Sequence, residues 1–211
     1  MKRAALSHWV LTAVMAIVAL ALGAFAVANR DEGGLARGSA LGDGAGGGVL
    51  VPLRPGEPLS AGVVATQNVS HDPVHLESAR ILRLDPDVEL LGFTAHPYGI
   101  PGGVPLTARE WPVPGGLALR EFSPLAPNAK ALQMVISVGM KVRDGGEGKA
   151  VGVAVRYRQG DTLKEQVFRQ QIFVCSVPEL VPHCPGHPDG AAVFGKFEDE
   201  LRSGKGGRAS R

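Results

Sequence analysis

The sequence predicts a mainly β protein, one antiparallel sandwich of about seven strands preceded by a single N-terminal transmembrane helix. Three observations predict it. Residues 9–28 form one uncharged apolar run, apolar side chains between residues 49 and 175 recur at every second position, and Gly, Pro, Asp and Asn punctuate those runs at short intervals.

The apolar run comes first in the chain. Trp9 to Ala28 are 20 residues without a charge, and at about 1.5 Å rise per residue they make a helix of roughly 30 Å, the depth of a bilayer's hydrocarbon core. Lys2 and Arg3 precede the run, and Asn29-Arg30-Asp31-Glu32 follows it. Basic flanks stay in the cytoplasm, so residues 1–8 are expected there and the remainder of the chain on the far side. Ala26-Val27-Ala28 also has the small-x-small pattern of a signal-peptidase site. The run is longer than the roughly 7–15 apolar residues of a cleaved leader, which favours an uncleaved anchor. Both readings give an extracytoplasmic domain. No cysteine stands near the end of the run, which excludes a lipid-modified cysteine there.

Residues 29–48 read as a linker: from Gly33 to Gly48, eight of sixteen positions are glycine, too little apolar surface to fold. The folded domain is expected over residues 49–184, with a tail over 185–211. Within the domain the clearest strand is Ala131–Arg143, where Leu132, Met134, Ile136, Val138, Met140 and Val142 share one face and Gln133, Ser137, Lys141 and Arg143 the other. Asp144-Gly145-Gly146-Glu147-Gly148 ends it. Val151, Val153, Val155 and Tyr157 then alternate with smaller or charged residues, and Gln159-Gly160-Asp161 turns the chain into Leu163–Cys175, with Phe168, Ile172 and Val174 facing inward. These three runs predict a β-meander. Upstream, Val49–Leu53, Ala61–Val69, Val74–Leu84 and Val88–Ala95 are further strands, separated by turn residues at 68–73 and 84–87. Short strands without a strongly amphipathic helix point to an immunoglobulin-like sandwich. Pro97–Asn128, with seven prolines, interrupts the pattern; Leu117–Phe122 reads as a short edge strand inside it. A short helix is expected around Ala191–Leu201, weakened by Gly195.

Two segments carry a family resemblance. The stretch P-L-x-P-G-x-P-L…N-x-S-x-x-P-V-x-L-x-x-A-x-I-L over Val51–Leu84 and V-x-V-x-Y-R-x-G-D-T-x-K-x-x-V-F over Val153–Phe173 resemble uncharacterised single-pass, membrane-anchored sandwich proteins of high-GC Gram-positive bacteria. The resemblance spans most of residues 50–175. It implies an immunoglobulin-like fold outside the cell membrane and transfers no catalytic residue.

Few residues invite a chemical role. Cys175 and Cys184 are the only cysteines; in an oxidising compartment a disulfide is the favoured reading. The alternative is a zinc or copper site built from Cys175, His183, Cys184 and His187, two thiols and two imidazoles suited to a tetrahedral metal. His71 and His75 flank a turn and read as surface histidines. Asp85, Asp87 and Glu89 lack the spacing of a calcium loop and read as a solvated turn. Asn68-Val69-Ser70 fits a glycosylation sequon, a pattern too common to weigh. Gly190–Lys196 has the spacing of a phosphate loop but continues with Phe197 where Ser or Thr is required. The sequence shows no nucleophile–base motif, so neither an enzyme nor a cofactor is expected. A net charge of +2 gives no reason to expect nucleic acid. Tyr98, Trp111, Pro112 and Pro114, in the proline-rich stretch, form the candidate interaction surface, with Trp111 as a core residue the competing reading. The expectation is an envelope interaction module, contacting the membrane through its N-terminal helix and another envelope protein or ligand through that stretch.

Overall fold

A computed structural model describes residues 35–37, 47–98, 107–179, 184–187 and 193–203. The apolar run at 9–28 and His183 lie outside the described residues, and no helix among the described residues is long and apolar enough to cross a membrane.

The strands are β1 (Leu35–Arg37), β2 (Gly47–Leu53), β3 (Leu59–Asn68), β4 (Val74–Leu84), β5 (Val88–Pro97), β6 (Thr107–Ala108), β7 (Met134–Val142), β8 (Glu147–Gln159) and β9 (Thr162–Ser176); one helix, α1, spans Phe197–Arg202. Two four-stranded sheets pack as a sandwich. Sheet A runs β1-β3-β7-β5, with the two-residue β6 added on β3, and sheet B runs β2-β9-β8-β4. The period-two alternation does what it predicts. Met134, Ile136, Val138, Met140 and Val142 point into the space between the sheets, where they meet Val153, Val155, Tyr157, Phe168, Ile172 and Val174 in one apolar cluster.

Four details depart from the expectation. Pairing is not antiparallel throughout: β2 runs parallel to β9, Val49 opposite Ile172 and Leu53 opposite Ser176. The stretch read as a linker contributes β1, paired antiparallel with Thr66–Asn68 of β3, and the first two residues of β2. Gly48 is bare because the Phe194 ring lies 2.6 Å from where its Cβ would stand. Leu117–Phe122 is not a strand; Leu117 alone bridges Ala95, because Leu119 turns into the core and residues 118–122 close a turn, Phe122 N–H donating to the Ala118 carbonyl. Residues 193–203 of the expected tail are part of the fold. Their helix begins only at Phe197, after the flat approach of Gly195 to the Glu200 side chain.

Both outer sheet faces carry non-strand chain. On sheet B, Phe173 and Cys175 project away from the main core and form a second cluster with Val177, Cys184 and Val193. α1 continues over the same face. Phe197 stands against Gly152, Lys149 and Arg83 both reach Glu200 at 2.8 and 3.1 Å, and Gln171 donates to the Gly195 carbonyl at 3.1 Å.

Candidate functional site

The connection from β5 to β7 crosses the outer face of sheet A and then closes the side of the sandwich. Thr107–Ala108 first pair with the β3 edge. Ser60 of β3 donates its hydroxyl to the Glu110 carbonyl, which delivers Trp111 onto the sheet. Ser60, Gly139 and Gly92 stand in one row across β3, β7 and β5. The indole covers that row: a Cβ on Gly139 would lie 2.2 Å from its Cδ2, and one on Gly92 would lie 3.4 Å from Cζ2. A tryptophan can lie flat on a strand only where the strand lacks side chains, and the two glycines provide that space.

Past Trp111 the chain reaches the free edge of β5. The Leu117 amide donates to the Ala95 carbonyl and Ala95 returns the bond, both at 2.9 Å. Leu125 does the same with Val74 of β4, at 2.8 and 3.3 Å, and Ser123 Oγ accepts from the Leu76 amide at 2.7 Å. This strap therefore ties the edge of sheet A to the edge of sheet B. The peptide bonds preceding Pro112 and Pro124 are cis.

Asn68 fixes the strap's return. It is fully buried, and its amide nitrogen donates to the Asp72 and Leu125 carbonyls at 2.8 and 3.1 Å. Its oxygen accepts from the Ser70 amide and hydroxyl at 3.0 and 2.6 Å. Every hydrogen-bonding atom of that side chain is engaged within the fold, so the sequon asparagine is a structural residue. Its polarity at the end of an otherwise apolar strand was the available sequence signal.

Under the strap lies a small polar group. Thr94 and Ser137 are cross-strand partners on β5 and β7, and Thr94 Oγ1 is 3.2 Å from His96 Nε2. Gly116 presses onto them; a Cβ there would be 2.8 Å from His96 Cε1. His96 is 1% exposed, and burial holds its pKa below the usual imidazole value. Ser137 Oγ finds no partner among the described residues. The hydroxyl–imidazole pairing has the residue types of a nucleophile and base, but it is sealed from solvent and has no oriented carboxylate among its hydrogen-bond partners.

The four residues expected to form an interaction surface are divided. Tyr98 directly follows β5 and is 44% exposed. Trp111 is half-buried on the outside of sheet A, outside the inter-sheet core, while Pro112 and Pro114 beside it are exposed. Leu117, also exposed at 43%, extends the same surface; it was expected in a short edge strand and not on the surface, and it does make one edge bridge, to Ala95.

At the other end, Cys175 and Cys184 form a disulfide. Both sulfurs are bonded to each other, so neither is a thiolate ligand. His187 meets the Phe173 ring edge-on at 5.0 Å and stands 3.5 Å from Glu147. No group of three or more metal-ligating side chains occurs among the described residues. Asp85 instead accepts the Lys149 amide at 2.9 Å, and Asp87 pairs with Arg143 at 3.8 Å. His71 and His75 are exposed.

No protein-family model matches the chain, and no curated protein matches it. Among solved structures it is distantly similar to the CooA pilin subunit from enterotoxigenic Escherichia coli, with 11% sequence identity, a TM-score of 0.32, and coverage of 68% of this chain and 97% of that one.

Proposed function

We propose that this protein is a membrane-tethered, extracytoplasmic interaction module of immunoglobulin type, and that the strap over sheet A is its recognition surface. The observation that carries the reading is the strap itself. It is anchored on both sheets through Trp111, Leu117 and Leu125, and it turns Pro112, Pro114 and Leu117 to solvent. A loop held in one conformation before it binds loses little entropy on binding, and long ordered loops in compact domains commonly carry function.

The strand order supports the immunoglobulin assignment. With β1, β3, β4, β5, β7, β8 and β9 taken as strands A to G, the two sheets become A-B-E-D and C-F-G, with β2 added beside G. The disulfide supports an oxidising compartment. Residues 9–28 supply the anchor by length and hydropathy, in keeping with the resemblance to membrane-anchored sandwich proteins.

A photo-crosslinking residue placed at Leu117 of the full-length protein, in its native membrane, tests this. A discrete adduct is expected that is absent when the crosslinker sits at Asp144, and that is lost when Trp111→Ala frees the strap. No adduct at 117, or the same adducts at both positions, would refute the assignment of the strap as the binding surface.

A further inference from the structure

The described strands show where the chain enters the sandwich. β1 pairs Leu35 with Asn68 and Arg37 with Thr66, so moving toward the N-terminus the chain leaves past the Asn68 end of β3. Register places further described residues at that end. Thr66 pairs with Met134, which pairs with Pro97, so Tyr98 is there. Val74 pairs with Gln159, and Gln159 with Thr162, so the start of β4 and the β8–β9 hairpin are there too. Asn68 joins the two sheets across this end through the Asp72 carbonyl.

The two ends differ in chemistry. The exposed large hydrophobics among the described residues are Val69, Tyr98, Leu117, Leu163 and Val167, at 38–44% exposure. Val69, Tyr98 and Leu163 sit at the chain-entry end, and Leu117 and Val167 lie in the same half, beside Ala95 and Ala154. The turns of the opposite end carry Arg54, Glu57, Asp85, Asp87, Arg143, Asp144 and Glu147. The tether is also short. With β1 docked, residues 29–34 alone separate Ala28 from the sandwich, and an extended chain of that length reaches about 25 Å at most.

We propose that the end carrying Val69, Tyr98 and Leu163 rests on the bilayer that holds residues 9–28, with these three side chains in the headgroup region. The inference depends on the anchor reading above. Exposed apolar side chains with a tyrosine among them suit the membrane interface. Asp72, Lys130 and Asp161 in the turns there favour no lipid charge, so the occupant is the interface of a zwitterionic as well as an anionic bilayer. The strand direction then stands away from the membrane, and the nine residues of β7 lift the charged turns by about 30 Å.

Full-length protein in nanodiscs of phosphatidylcholine brominated in the upper acyl chain provides the test. In a Trp9→Phe parent, which retains Trp111 as background, Tyr98→Trp adds a reporter at the entry end and Asp144→Trp one at the far end. The added emission of Tyr98→Trp is expected to lose about half its intensity against unbrominated discs, the behaviour of an interfacial side chain, and that of Asp144→Trp to be unchanged. Leu163→Trp repeats the measurement from the hairpin should Tyr98→Trp not fold. Unquenched emission from both entry-end reporters, with the parent incorporated in the discs, overturns the proposal and leaves the anchor standing; so does equal quenching at Asp144→Trp. A parent that does not enter the discs overturns the anchor and the proposal with it.

Discussion

Replacing Gly139 by Ala is the sharpest probe of the strap. The added methyl would stand 2.2–2.5 Å from three atoms of the Trp111 indole, well inside contact distance, and the ring must retreat by about 1 Å. It cannot do so freely, because Glu110 is held by Ser60 and Leu117 by Ala95. Forced overpacking of this kind costs about 1–3 kcal/mol. In a Trp111→Ala background the obstacle is gone. There the same substitution should stabilise by about 0.5–1 kcal/mol, since glycine weakens a strand interior relative to alanine. The sign of the effect thus reverses, with a coupling of about 1.5–4 kcal/mol between two residues 28 positions apart in the chain. Urea denaturation followed by circular dichroism on all four proteins of the cycle measures it. If Gly139→Ala cost the same in both backgrounds, the glycine would not be there for the tryptophan.

Three further outcomes follow from individual side chains. Cys175→Ser should cost about 2.5 kcal/mol on the loop-entropy account for cysteines nine residues apart and speed proteolysis within 184–203; a tail that stays protected would show that Phe194 and Phe197 hold it unaided. Burial keeps His96 neutral in the fold, while the unfolded chain takes up a proton below pH 6.5, so stability should fall as pH drops below that value and His96→Gln should flatten the decline in denaturation midpoints. Burial raises the Tyr157 pKa to about 12 from 10.0, so the fold should lose stability as pH rises from 10 toward 12; Tyr157→Phe should abolish that loss. At neutral pH the same change should be neutral or stabilise by up to about 1 kcal/mol, because the buried hydroxyl has no hydrogen-bond partner among the described residues.

The strands were legible where apolar side chains recur at every second position toward the inter-sheet core, as they do from Met134 to Val142. Val74–Leu84 is β4 to the residue, and of the expected strand Ala131–Arg143 the residues Met134–Val142 form β7. What the alternation could not convey is partner choice. Val49–Leu53 reads the same whether it runs parallel or antiparallel to β9, since a short apolar run carries no mark of its neighbour's direction. Gly47 and Gly48 were hidden for a different reason: their composition is that of a linker, and only the approach of Phe194 distinguishes a packed glycine from a solvated one. The candidate surface was partly legible. Prolines set the connection apart from the strands, but the sequence did not show that Trp111 lies on the outer face of sheet A, because a sheet has an outer face as well as a core and the sequence does not say which a tryptophan covers.

That outer face had a sequence signal after all. Gly48, Gly139 and Gly152 occupy strands β2, β7 and β8, and each has an aromatic ring within 3.2 Å of the position its Cβ would take: Phe194, Trp111 and Phe197. All three rings come from segments outside the strands, two from the tail and one from the strap. Glycine in a strand interior is unfavourable by itself, so its presence there calls for something that needs the space. Gly139 makes the point most simply, since it lies on the outer face of an otherwise regular strand and its φ is not positive. At Gly48 and Gly139 a side chain was omitted so that covering chain could lie against backbone, while Gly152 also takes a φ of +71° at the register shift between β8 and β9. The sandwich is therefore layered twice: an inner core built from alternating aliphatics, and outer contacts in which rings from non-strand segments are set on glycines of the sheets, Trp111 on sheet A and Phe194 and Phe197 on sheet B. The second layer fixes both the strap and residues 193–203, and among the described residues no ring covers the chain-entry end, where Val69, Tyr98 and Leu163 are exposed.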